Sequence, residues 1–133
     1  MSSFFDQDRR EYVRVRADIP VRYKFLAKHI QDPKIEDIYQ GVTNNISGGG
    51  ILLCGVVPDI GWLSDLLMQR IVIGVNFVLP GDQEVIKALT RVSWIDAMDE
   101  NSKKCQMGLK FKEVTSLDRD KIFKFIIRSQ LPS

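Results

Sequence analysis

The chain has 133 residues, 44% of them hydrophobic and 27% charged, with a formal net charge of +2. That is long enough to bury one core without disulfides or a metal, and the composition is ordinary for a globular domain, which excludes a disordered chain. No stretch approaches the roughly 20 apolar residues that a membrane helix requires, so membrane insertion is not expected.

In chain order, Met1-Ser2-Ser3-Phe4-Phe5-Asp6 lacks the basic start and apolar run of an export signal, and a cytoplasmic location is the expectation. Residues 1–11 are expected to form a flexible arm carrying Arg9 and Arg10, and residues 12–133 a single domain. Residues 9–28 concentrate positive charge, with Arg9, Arg10, Arg14, Arg16, Arg22, Lys24 and Lys28 against only Glu11 and Asp18. The rest of the chain is nearly balanced and offers no second basic block to track a duplex. The strip therefore suits a small anion better than a nucleic acid, and no nucleic-acid partner is expected.

From Tyr12 the pattern takes period two. Val13 and Val15 alternate with Arg14 and Arg16, then Val21, Tyr23 and Phe25 with Arg22 and Lys24, which predicts a strand with one basic face. Pro20 inside it predicts a bulge, a break or an edge position, because proline cannot donate to the ladder. A polar loop around residues 29–36 leads to a second strand over about 37–46. It ends in Ser47-Gly48-Gly49-Gly50, where successive glycines open backbone angles closed to other residues and let a ligand approach the main chain. Residues 51–54 read as a short buried strand. Ile60, Leu63, Leu66 and Leu67 predict a helical turn or short helix within 58–69.

Ile71, Ile73, Val75, Phe77 and Leu79 alternate cleanly up to Pro80-Gly81-Asp82, a turn with a mechanism in each residue. A return strand is predicted over about 85–95, a polar turn over 98–104, and a last strand with Cys105, Met107, Leu109 and Phe111 on one face. From Ser116, a plausible N-cap, the period changes to helical. Ile122, Phe123, Ile126 and Ile127 are placed on one face, with Asp118 and Asp120 in the first turn and Arg128 near the end, where it complements the helix dipole. Several strands at this spacing predict a mainly β fold, an antiparallel barrel, followed by the C-terminal helix.

Cys54 and Cys105 lie beside apolar residues, with no ligand at metal spacing, and read as buried free thiols. His29, the only histidine, reads as a surface loop residue. With no metal cluster and no activated nucleophile, the chain is not expected to be an enzyme or to carry a cofactor or metal.

Two polar motifs remain. Guanidinium groups bind phosphate bidentately and recognise the N7/O6 edge of guanine, while Asn, Ser and glycine amides can complete a cradle around a base or phosphate. Arg10-x-x-x-Arg14 followed by Asn45-x-Ser47-x-x-Gly50 resembles the signature of PilZ domains, bacterial receptors for cyclic di-GMP. Val92-Ser93-Trp94 and Met107-Gly108-Leu109-Lys110-Phe111 look like later strands of that family, so the resemblance extends over nearly all of the chain.

It implies a six-stranded antiparallel barrel with a C-terminal helix, and cyclic di-GMP as the ligand. Arg10 and Arg14 would contact guanine edges and phosphates, and Arg9 would stack on or shield a base. Asn45 and Ser47 would hydrogen-bond guanine or phosphate, and Gly48, Gly49 and Gly50 would form the turn, with Gly50 allowing backbone approach. Asn45 in place of Asp removes a carboxylate that could pair with guanine N1–H, although its amide still accepts. Trp94 has two readings, a base-stacking surface or a core aromatic, with the core preferred.

The function implied is a non-enzymatic receptor that folds its arm across the barrel on binding and so changes its surface for an effector protein of the motility, exopolysaccharide or pilus class. A ligand-independent adaptor and a nucleic-acid-binding barrel are the alternatives.

Overall fold

A computed structural model describes residues 13–131. Tyr12, the expected start of the first strand, and the arm with Arg9 and Arg10 lie outside the described residues.

Six strands account for the alternating segments: β1 (Arg14–Leu26), β2 (Tyr39–Ser47), β3 (Gly50–Val56), β4 (Val72–Val78), β5 (Val85–Asp96) and β6 (Lys104–Val114). Every neighbouring pair is antiparallel, and the order β1-β2-β3-β6-β5-β4 closes into a barrel. Closure removes both sheet edges, so each strand loses its apolar side inward and keeps its polar side in water. In β1 that puts Ile19, Val21, Tyr23 and Phe25 inside and Arg14, Arg16 and Arg22 outside. Pro20 sits just before the ladder to β4 begins at Val21, where its missing N–H costs no bond to that neighbour.

One end of the barrel is plugged by rings. Phe25 meets Tyr23, Tyr39 and Trp62 edge-on, with centroids 5.3–5.7 Å apart, the geometry that aromatic pairs prefer. Trp62 arrives on a 3-10 turn, Ile60–Trp62, that runs into the short helix α1 (Leu63–Leu67), which buries Leu66. The helical turn predicted within 58–69 is thus present, with Trp62 and Leu66 as its inward residues and Ile60 and Leu67 exposed.

Tyr23 also braces strands that are not neighbours. Its hydroxyl donates to the Val56 carbonyl at 2.8 Å and accepts from the Val56 N–H at 2.6 Å, tying β1 to the end of β3. The phenol fits there because Gly55 lacks a Cβ, which would fall 2.5 Å from the Tyr23 oxygen.

The other end is covered by α2 (Ser116–Gln130), which packs on β1 and β2. It is tied to the start of β5, where Asp118 Oδ2 accepts from the Lys87 N–H and Lys121 pairs with Glu84. Thr115, not Ser116, is its N-cap, with Oγ1 accepting from the Asp118 N–H. Both residues are hydroxylic and adjacent, so the sequence could not choose between them. The apolar face also turns: Ile122 and Ile126 are buried with Phe125 against the core, while Ile127 is 58% exposed.

Two further expectations change. Cys105 is buried, but Cys54 is only half-buried, because it falls on the outward parity of β3 between Leu53 and Gly55. The triple glycine does not serve to reach left-handed angles: among the described residues Gly81, in the β4–β5 turn, is the one glycine with positive φ. His29 is an exposed residue of the β1–β2 connection, as expected.

Candidate functional site

The outer face of the barrel brings the sequence motifs together through strand register. Arg14 lies opposite Ser47, and Arg16 opposite Asn45. Directly opposed residues of an antiparallel pair share a face, so Asn45 and Ser47 look outward with the exposed arginines. From Asn45 the same lateral row continues to Leu52, then Gly108, then Trp94, crossing β2, β3, β6 and β5. A second row lies alongside it, running from Gly50 to Lys110 to Arg91. The result is a band with cations at both ends, Arg14 and Arg16 on one side and Lys110 and Arg91 on the other. A polar turn and a small apolar floor lie between them.

Two bulges create this band. Along β2, Thr43 and Ile46 are both buried although an odd number of steps separates them. The register to β3 slips between Thr43 and Asn45, leaving Asn44 unpaired, and that slip delivers Asn45 to the surface. Thr43 holds the bulge: its Oγ1 donates to the Asn45 carbonyl at 3.0 Å and accepts from the Asn45 N–H at 3.3 Å.

The second bulge falls between Val92 and Trp94 on β5, with Ser93 as the extra residue. Simple alternation puts Trp94 on the same face as Val92, which is why it reads as core. The bulge reverses it, and Trp94 lies outside, 39% exposed, on the bare backbone of Gly108. A Cβ at Gly108 would fall 2.1 Å from the indole Nε1, so the ring occupies the space that a side chain would fill.

The turn residues have structural employment. Ser47 Oγ accepts from the Gly49 N–H at 3.1 Å and donates to the Gly50 carbonyl at 3.4 Å, knotting the turn on itself. The Gly49 carbonyl takes the Phe111 N–H at 2.9 Å, fastening the turn to β6. Gly50 is pressed against the same strand, where a Cβ would stand 1.9 Å from the Leu109 carbonyl oxygen. Close backbone approach is therefore what Gly50 provides, but the backbone that approaches is β6. Gly48 is buried beneath the turn. The Asn45 side-chain amide makes no hydrogen bond among the described residues.

Of the residues expected at the site, Arg14, Asn45, Ser47, Gly48, Gly49, Gly50 and Trp94 come onto or beneath one face, while Arg9 and Arg10 lie outside the described residues. Sequence reasoning missed Thr43, Leu52, Gly108 and Lys110. Only their positions across the ladder reveal them, although glycine within an otherwise apolar strand at Gly108 is a signal of close approach.

The fold and this face define a class of small antiparallel barrel that is closed by a terminal helix and carries a polar turn and flanking cations on its outer wall. The family model for the PilZ domain matches residues 8–128, and the chain belongs to the PilZ domain family. Among solved structures it is similar to the inhibitor of motility MotI/DgrA of Bacillus subtilis, at 24% identity and a TM-score of 0.67 over 92% of this chain and 51% of that one. It is also similar to the PilZ domain of YcgR from Escherichia coli with c-di-GMP, at 16% identity and a TM-score of 0.60 over 91% and 90%. A third is MrkH, described as a c-di-GMP-dependent transcription regulatory factor, at 21% identity and a TM-score of 0.64 over 94% and 52%. The chain spans about half the length of MotI/DgrA and of MrkH. No curated protein sequence matches it significantly.

Proposed function

We propose that this protein is a non-enzymatic receptor for cyclic di-GMP, and that the ligand lies on the outer face spanning Arg14–Ser47 and Asn45–Leu52–Gly108–Trp94. The observation that carries the reading is the register: two motifs about thirty residues apart, each common alone, meet on one surface with Arg14 opposite Ser47 and Arg16 opposite Asn45. The YcgR structure contains c-di-GMP on a PilZ domain of this fold, and one MrkH structure is a complex with it, which supports the choice of ligand.

Arg14 and Arg10 are assigned to phosphate and to the N7/O6 edge of guanine, where planar guanidinium forks match both geometries. Arg9 covers a base. The Asn45 side-chain amide makes no hydrogen bond among the described residues and is assigned to a guanine edge. Trp94 offers an indole face for stacking. Ser47 acts mainly by holding the turn, since its hydroxyl is already engaged there. Arg16, Lys110 and Arg91 add positive potential.

Ligand that bridges the barrel to Arg9 and Arg10 draws the segment 1–11 onto this face and presents a new surface to a partner, a population shift driven by contacts that only the bound state makes. The output belongs to the class of motility, exopolysaccharide or pilus regulation, and the reading places the protein in the cytoplasm.

Isothermal titration calorimetry with cyclic di-GMP tests this, comparing the native chain with Arg14→Ala and with GTP as a rival purine anion. Selective heat that is lost in the variant supports the receptor. Absence of heat at high protein concentration overturns it in favour of a ligand-independent adaptor.

A further inference from the structure

We infer that the groove bounded by β4, β5, β6 and the first turn of α2 is a docking surface for an acidic, apolar-bearing segment of a partner protein. The groove encloses about 730 Å3 and is open to solvent. It is an open depression on the barrel wall rather than an enclosed small-molecule cavity. Its floor is apolar: Leu26 leans over Gly74, where an added Cβ would meet its Cδ1 at 3.5 Å, and Leu89 is half-buried beside it on β5. Its rim is cationic, with Lys87, Lys112 and Arg119.

Three observations select the occupant. The rim cations are in no ion pair among the described residues. Among the described residues, Asp118 and Glu84 pair with Lys121 and Asp120 with Lys124, while Asp82 in the β4–β5 turn accepts from the Gln83 and Glu84 N–H groups. Lys87, Lys112 and Arg119 take part in no ion pair there, and Glu113 is the one acid in the lining. An acidic segment would supply what the groove lacks.

Second, Lys112 is the extra residue of a β-bulge that slips the β5–β6 register between Leu89 and Thr90. Bulges re-aim side chains, and this one stands exposed at the rim.

Third, among the described residues no aromatic ring lines the groove, so it gives no platform for stacking bases and suits a peptide better than a single-stranded nucleic acid. Gly74, Val75 and Asn76 on its floor are paired on both sides, to β1 and to β5, so recognition there must run through side chains. The groove lies beyond the Arg91–Lys110 row from the proposed nucleotide face, and its occupancy does not depend on that reading.

The test is fluorescence anisotropy on the full chain without nucleotide, using a dye-labelled peptide of alternating aspartate and leucine. An all-aspartate peptide, a lysine–leucine peptide and an oligothymidylate serve as rivals. The aspartate–leucine peptide is expected to bind best, and Lys87→Glu with Lys112→Glu to weaken it by about tenfold or more. Both lysines are exposed, so the fold tolerates the change. Amide chemical shifts in the native chain should move at Gly74, Leu89 and Lys112. Any one of three results overturns the inference: affinity unchanged by the double substitution, preference for the oligothymidylate, or no shifts in the groove at millimolar peptide.

Discussion

Gly50→Ala separates two explanations of a motif glycine, close approach of ligand and close approach of a neighbouring strand. The added Cβ would lie 1.9 Å from the Leu109 carbonyl oxygen, where ordinary contact begins at 3.4 Å. The obstacle is backbone on a central ladder, not the flexible end of a side chain, so β3 must retreat from β6 by more than an ångström. Hydrogen bonds near 2.9 Å, such as Phe111 N–H to the Gly49 carbonyl, do not survive that displacement. Overpacking of this kind costs about 1–3 kcal/mol, and each lost backbone bond adds roughly 1 kcal/mol, so a loss of about 2–4 kcal/mol is expected.

Urea denaturation followed by circular dichroism measures it, with cyclic di-GMP titration of the same sample to follow binding. Stability and binding should fall together, and Arg14→Ala should lose binding with native stability. A Gly50→Ala chain that keeps native stability yet fails to bind would refute the reasoning and return Gly50 to a direct role at the ligand.

Burial pushes the Tyr23 phenol up to about 12, against the opposing pull of the Val56 N–H that it accepts. Because the folded value exceeds the unfolded one of 10, its contribution is fully present below pH 10 and is lost as pH rises towards 12. Tyr23→Phe should cost about 1–3 kcal/mol at neutral pH, and should remove that part of the alkaline fall in stability, read from urea midpoints across pH 8–12; identical alkaline curves would contradict this. Gly108→Ala should dislodge the exposed Trp94 at a cost of only about 1 kcal/mol while weakening cyclic di-GMP binding, with a red shift in Trp94 emission in a Trp62→Phe background. Unchanged affinity would remove Trp94 from the site. Ile122→Ala should destabilise by about 2–5 kcal/mol and Ile127→Ala by less than about 0.5 kcal/mol in thermal or urea melts, and the reverse order would mean that α2 is rotated.

Local pattern alone determined much of this molecule. The alternation in β1 and β4, the Pro80-Gly81-Asp82 turn and the helical period after Ser116 each have a physical cause within a few residues, so strands, hairpin and terminal helix are legible in the chain. The paired motifs by themselves made Arg14, Asn45, Ser47 and Gly50 candidates.

What tertiary structure decided lies wherever parity fails. Bulges at Asn44 and Ser93 depend on the partner strand, and they bring Asn45 and Trp94 to the surface against the simple alternation. Whether Gly50 faces a ligand or β6, and whether Lys110, Arg91 and Gly108 stand beside residues far away in sequence, depends on which strands the barrel sets side by side. Register is a long-range quantity fixed by closing the barrel around its core, and no window of neighbouring residues contains it.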